Sequence, residues 1–567
     1  MGRRFSKRLL VAVLASSMAV SATFSANAAK NYSKSKNHTV ASSVKVNATA
    51  AVNITESEGS LESANVEWSP VQGATSYNVY YKSAGAPDSS YQKIDDQLIR
   101  QYPTVFRADV LGLAAGNYIV KVAPVVNGSE VTGEQAITQT LNVKANKREG
   151  FAFSSASTMK TGSGGYNDDG TVPQDAKILY ITAGNVNTVT ANVVTNAKGT
   201  VTSCAGLVNI LAARQKGYDK SHLIIRMVGE VKASDITGLN DHTYIQLKGC
   251  YNLTFEGVGK DATAYGWGFL IRDARNLELR NVGVMLFGDD AISLDTDNEN
   301  IWVHNNDLFY GAPGHDADQV KGDGSCDIKQ SSNFVTVSYN HFHDSGKSSL
   351  CGMKDTQNYY VSYHHNWFDH SDSRHPRIRV GSVHVYNNYF DGNSKYGVGV
   401  TKGASAFVEA NYFRNCEHPM LSSLQGTDIF EDPEGSFSGE DGGMIKAYNN
   451  KIEGATRLVY ANQDPVQFDA YLATTRNEAV PSSYKTVAGG NTYNNFDTSD
   501  VMYKYQPDAP EDVESNVTTY AGRVDGGDLI FKFTDADDAS HVINPELQAK
   551  IQNYASTLVS DGSSVSK

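Results

Sequence analysis

Five stretches in the second half of the chain share one plan: "NFVTVSYN" (333–340), "YYVSYHHN" (359–366), "VHVYNN" (383–388), "AFVEAN" (406–411) and "IKAYNN" (445–450). Each alternates apolar and polar residues and then reaches Asn. "NIWVHNN" (300–306) joins the set, so Asn306, Asn340, Asn366, Asn388, Asn411 and Asn450 follow at steps of 34, 26, 22, 23 and 39. Upstream, "NLTFEGV" and "NLELRNV" begin at Asn252 and Asn276, each 24 residues before the next such start. A period in the low twenties with occasional insertions signals a solenoid. Period-two alternation makes each unit a strand with one buried face. Asn at one corner, rung after rung, suits stacked amide ladders that satisfy the backbone of turns. The reading is all-β: a parallel β-helix over residues 150–555. Its longest steps place loops at "YGAPGHDADQVKGDGSCDIK" and "SSLQGTDIFEDPEGSFSGEDGG". The helical run "TSCAGLVNILAARQKG" (202–217) is expected to cap one end.

The first part reads differently. "RRFSKR", the apolar run Leu9–Val20 and Ala26-Asn27-Ala28 read as a signal peptide over residues 1–28. The apolar run is shorter than the roughly 20 residues a membrane span needs, so export to the extracellular space without a membrane span is expected. Residues 29–45 read as a linker. Residues 46–145 carry short alternating strands around Trp68, Ala74–Lys82 and Leu111–Val125, spaced like a small β-sandwich. They resemble a fibronectin type III module, expected to act as a spacer or accessory contact. Residues 556–567 read as a tail. Five cysteines, none in a CxxC, are expected to be mostly buried and inert. The formal net charge of −13, with no Lys/Arg block, excludes nucleic acid as a partner. It also argues against a polyanionic substrate, unless a divalent cation sits between the two sets of carboxylates.

Chemistry-bearing residues concentrate in the repeat. "FGDDAISLD" offers Asp289, Asp290 and Asp295, and "DGSCD" offers Asp323 and Asp327; clustered oxygen donors suit Ca²⁺. "HDSGKSSLCG" puts Lys347 after a strand. "DSRHPRIR" sets Arg374, Arg377 and Arg379 around Pro376.

Together, "IWVHNNDLF", "DGSCDI", "VTVSYNHFHDSGKSSLCG", "HHNWFDHSDSRHPRIR" and "VHVYNNYF" resemble a polysaccharide lyase family 1 pectate lyase. The "RHPRIR" segment matches that family's Arg-x-Pro-x-x-Arg signature. The resemblance implies a right-handed parallel β-helix and calcium-assisted β-elimination on polygalacturonate; a monomer is expected. It also implies Arg374 as catalytic base, Lys347 and Arg379 as substrate contacts, and Asp290, Asp323 and Asp327 as calcium ligands. Trp302-Val303-His304-Asn305 departs from the family's Trp-Ile-Asp-His and bears on the calcium shell or on rung packing.

This chemistry needs these groups. Proton loss at C5 of a uronate piles up negative charge, which a cation beside the carboxylate offsets. Fixed cations hold the sugar's register. An ordinary guanidinium gives up its proton only above about pH 12, so alkaline conditions are expected to favour an arginine base. Arg377 is expected to alternate to the opposite face of a strand and to be structural. His341, His343 and the other histidines of the repeat are expected to pack rather than bind zinc, whose sites need a closed ligand set. Two alternatives remain open: a polygalacturonase-like hydrolase, through "GDDAI" and Gly314-His315, and a non-catalytic sugar-binding solenoid.

Overall fold

The structure, a computed structural model, describes residues 51–314, 320–430 and 436–562. The signal peptide and linker, with residues 46–50, His315 of the Gly-His pair and the last five residues, lie outside the described residues.

The repeat builds a parallel β-helix. One rung runs through Asn333–Ser338, His341–His343 and Leu350–Cys351 before the next begins at Tyr360–His364. Each segment pairs in parallel with its counterpart one rung on: Val335 with Val361, His341 with Trp367, Leu350 with Arg377. Parallel strands joined through such crossovers wind right-handed. Alternation sends every second side chain inward. Ile271, Leu294, Ile328, Cys351, Ile378 and Val400 form one inward column, in register from rung to rung. Phe342, Phe368, Phe390 and Phe413 form another, with ring centroids 4.8, 5.2 and 4.1 Å apart. The helix Leu207–Arg214 adds Leu207, Ile210 and Leu211 to the core beside Leu179 and Leu223, at the N-terminal end as expected.

Asparagines hold the corners, in two ladders rather than one. In the first, the backbone N–H of Asn306, Asn340, Asn366, Asn388 and Asn411 each donates to Oδ1 of the next member, at 2.9–3.1 Å, ending on Asn450. The residue before each member turns the corner in the left-handed region (Asn305, Tyr339, His365, Asn387, Ala410 and Asn449, φ 50–54°). Asn252, Asn276 and Asn300 occupy a different corner, where Asn276 Nδ2 donates to Asn252 Oδ1 (2.9 Å) and Asn300 Nδ2 to the Ala152 carbonyl (2.6 Å). Asn388→Ala orphans the carbonyls of Tyr363 and Tyr386 as well as the rungs on either side. Each buried unsatisfied group costs about 1–3 kcal/mol. Denaturant unfolding should therefore show a loss of about 3 kcal/mol or more; a change no larger than that of an exposed Asn would contradict the ladder's role.

The N-terminal sandwich has two antiparallel sheets. Ile54–Gly59, Ser63–Trp68, Phe106–Leu111 and Ile99–Gln101 form one; Leu141–Val143, Gly116–Val126, Ser76–Ser83 and Gln92–Lys93 form the other. Trp68, Tyr77 and Phe106 pack between them. The sandwich is docked rather than tethered. Its core includes Val228 and Val258 of the β-helix. Tyr102 donates to Asp261 (2.9 Å), Arg107 pairs with Asp525 (2.6 Å), and Arg148 pairs with the buried Glu62. Within the segment read as a tail, Ser560–Asp561 add an antiparallel strand to Ile99–Gln101.

The C-terminal segment also straps the β-helix. His370 lies between Asp369 (2.7 Å) and Asp538 (3.1 Å) and stacks on Phe533. Burial alone lowers its pKa, but Asp369, Asp391 and Asp538 outweigh it and raise it above the usual value. A raised folded pKa stabilises below the unfolded pKa, about 6.5, and that gain is lost as pH rises through the folded value. His370→Asn should therefore destabilise most in mildly acidic solution. The gap to wild type should close as pH rises; a gap that widens would contradict the assignment.

Candidate active site

The site lies on the outer face of the sheet formed by Tyr244–Lys248, Gly268–Arg272, Ile292–Asp295, Cys326–Lys329, Leu350–Cys351, Arg377–Arg379, Tyr396–Thr401 and His418–Ser422. Because Ile328 and Ile378 point inward and are fully buried, Asp327 and Lys329 on one strand, and Arg377 and Arg379 two rungs later, point outward. This corrects the expectation for Arg377. It shares the outer face with Arg379, since the strand begins at Arg377 and not at Arg374. Arg374 sits before that strand in the left-handed region (φ 65°), a costly state for a bulky side chain that only a determined surrounding retains.

The acidic groups converge. Carboxylate oxygens of Asp289, Asp290 and Asp323 lie within 4.8 Å of one another. Lys329 joins Asp327 to the group: its ammonium pairs with Asp290 and lies 3.7 Å from Asp327. Burial and the charge of Asp327 push the Asp290 carboxyl up to about 7, although Lys329 opposes this. Burial raises Asp327 as well, while Lys329, Arg374 and the Leu350 N–H (2.9 Å) favour its charged form. Four carboxylates share one face with Lys329 and Lys347 as cationic neighbours, and hard oxygen donors fit Ca²⁺. Gly324 makes the approach possible: a Cβ there would overlap the Asp327 carboxylate.

The cationic side is adjacent. Lys347 lies 3.6 Å from Asp323. Lys347, Arg374 and Arg377 line one cavity of about 580 Å³. Arg379 is held apart from them: its Nε donates to both oxygens of Glu440 (3.1 Å each), and one Nη binds the Asp355 carbonyl. The other Nη has no hydrogen-bond partner among the described residues.

Asp290, Asp323, Asp327, Lys347 and Arg374 thus come together, while Arg379 stands beside them on a carboxylate of its own. Sequence reasoning missed Lys329, although it lies two residues from Asp327 and must share its face. It also left Asp289 unassigned beside Asp290. The departure at Val303-His304-Asn305 falls on a different sheet, where His304 stacks on Trp302 (3.6 Å) and pairs with Glu278 (2.9 Å). It concerns rung packing, not the aspartate cluster. Asp307, His341 and His343 approach one another closely enough for a metal. However, Asp307 is taken by Arg523 (2.7 Å), and the two imidazoles stack face to face at 3.5 Å.

A family model described as pectate lyase matches residues 137–525. The chain belongs to the pectate lyase family. Pectate lyase relatives include the pectate trisaccharide-lyase of Bacillus licheniformis, 33% identical over 228 residues (39% of this chain, 64% of that protein). Pectate lyase 3 of Pectobacterium atrosepticum is 27% identical over 274 residues (47% of this chain, 66% of that protein). The chain thus spans just under two-thirds of the length of these curated relatives. Among solved pectate lyases, one from Bacillus sp. N165 in complex with trigalacturonate covers 66% of this chain and 98% of its own, at 21% identity and a TM-score of 0.46. Pectate lyase C from Erwinia chrysanthemi, at pH 9.5 with calcium, covers 65% and 96%, at 20% identity and a TM-score of 0.43. The five cysteines are free, and four are buried. No helix among the described residues is long and apolar enough to cross a membrane.

Proposed function

We propose that this pectate lyase family member is an exported, monomeric enzyme that cleaves α-1,4-linked polygalacturonate by calcium-assisted β-elimination, with Arg374 as base. The observation that carries the reading is the juxtaposition of Arg374 and Lys347 in one cavity with the aspartate cluster at its edge. Asp290, Asp323 and Asp327 hold calcium, with Asp289 within reach, and the ion supplies positive charge that offsets the substrate carboxylate.

Lys347 fixes a carboxylate or hydroxyl of the sugar, and Arg379 adds a contact through the Nη that Glu440 leaves unused. Arg374 removes the C5 proton, and its left-handed backbone aims the side chain from the edge of the strand. The electron pair of that C–H forms the C4=C5 double bond. The C4–O bond breaks, and the departing oxygen takes a proton from water. Lys329 holds Asp290 and Asp327 together and limits their mutual repulsion. The N-terminal sandwich is read as a fibronectin type III-like module, fixed against the β-helix by the contacts above.

Mass spectrometry of the products separates elimination from hydrolysis. Elimination gives an unsaturated oligomer one water lighter than the hydrolysis product. Only saturated oligomers would overturn the reading in favour of a hydrolase; intact polymer, tightly bound, would favour a sugar-binding solenoid.

A further inference from the structure

Three turns that carry the site meet at one buried ammonium. Lys321 is 3% exposed. Its Nζ donates to Asp344 (2.6 Å) and to Asp372 (2.7 Å). Lys321 precedes Asp323 by two residues, Asp344 precedes Lys347 by three, and Asp372 precedes Arg374 by two. One side chain thus ties the turns of an aspartate, a lysine and an arginine of the site to one another.

We propose that Lys321 is a positioning residue for the elimination: its ammonium, with Asp344 and Asp372, sets Arg374 and Lys347 against the aspartate cluster. The proposal rests on the lyase reading above. Each partner in this clamp is itself seated. The Gly311 N–H donates to the Lys321 carbonyl (3.0 Å), and a Cβ on Gly322 (φ 96°) would collide with the Gly311 backbone. Tyr310 donates to the Asp344 oxygen that Lys321 leaves, and Ser394, on the cavity wall, donates to the Asp372 oxygen that Lys321 uses (3.0 Å). Beyond the clamp, backbone bonds join the same turns. The Ser325 N–H donates to the Lys347 carbonyl (3.0 Å), and the Ser349 N–H to the Arg374 carbonyl (2.8 Å). Lys347 is therefore held on both sides in sequence, and Arg374 at its own carbonyl and through Asp372.

Stability alone does not account for this cluster. Burial pushes Asp344 up to about 6 and raises Asp372, although Lys321 opposes both shifts. A carboxyl raised in this way costs stability once pH passes its unfolded value, about 3.9. Buried charges that cost stability are explained by the position they impose. Position is valuable here, since a displacement of about 1 Å at a reacting group costs about a hundredfold in rate.

The test uses the full-length enzyme with Lys321→Met and with the triple variant Lys321→Met, Asp344→Asn, Asp372→Asn. The single variant leaves two buried carboxylates without their cation and should unfold at lower temperature. The triple variant removes all three charges and leaves Tyr310 and Ser394 their acceptors, so its thermal unfolding should return toward wild type. Its kcat on polygalacturonate should nevertheless stay at least about tenfold below wild type, with KM within about threefold, because the clamp acts on alignment more than on binding. Hydrogen exchange read by mass spectrometry should be faster than wild type over residues 344–349 and 372–376 and unchanged in the other rungs. A lysine with a merely structural role predicts the opposite, kcat returning with stability. A triple variant with wild-type stability, kcat and exchange in these turns refutes the clamp. If wild type yields no unsaturated product, the lyase reading fails, while the exchange comparison still decides the clamp.

Discussion

Arg374→Lys should cut kcat on polygalacturonate by at least about a hundredfold and leave KM within a small factor, since a positioned general base contributes about 10²–10⁴. The substitution keeps a positive charge beside Asp327, so fold and substrate attraction are preserved. It exchanges a planar fork for a point charge on a different stem. The proton at C5 must be met at hydrogen-bond distance by the accepting nitrogen, and the shorter reach of a lysine from the same backbone position misses it. Wild-type activity should also climb as the medium turns alkaline, because an ordinary guanidinium deprotonates only above about pH 12. Normal turnover by the lysine variant, or a wild-type optimum in the acid range, would remove Arg374 from its role.

Asp290→Ala should abolish calcium binding in the millimolar range and activity with it, and Asp327→Ala should do nearly the same. Groups that merely support a metal ligand cost about 10–100-fold in affinity when removed, so a ligand should reach at least the upper end. The aspartate cluster carries a second consequence. Without Asp290, the Lys329 ammonium loses its closest partner but keeps Asp327 at 3.7 Å, so the fold should survive. Calorimetric titration with calcium, alongside thermal unfolding, separates the two effects. Undiminished calcium binding by a correctly folded Asp290→Ala variant would place the ion elsewhere.

Much of this is legible in the sequence itself. The corner asparagines and the period-two strands dictate the β-helix, because each rung can bury its inward residues only by stacking on another. The arginine, lysine and aspartate motifs marked the site because each falls in or beside the strands of one face. What stayed hidden is non-local. Glu440 reaches Arg379 across 61 residues, and Ser560–Asp561 returns to a strand at Ile99–Gln101. Neither has a local pattern. Other misreadings were local and avoidable. The two asparagine corners, Asn300 near the start of one strand and Asn306 just past its end, lie six residues apart and merge when the repeats are read by period alone. The opposite face expected for Arg377 assumes a strand that runs through Arg374, but Arg374 precedes the strand and the apolar Ile378 marks the inward position. Asp327 and Lys329 bracket Ile328 in the same way.

The central claim is elimination that depends on both the aspartate cluster and Arg374. The most direct measurement follows the ultraviolet absorbance of the C4=C5 uronate product during digestion of polygalacturonate, before and after EDTA, and again after excess calcium. The account predicts a steady rise, arrest on chelation and full recovery with calcium. A rise that continues unchanged in EDTA, or chain shortening without the chromophore, would contradict it.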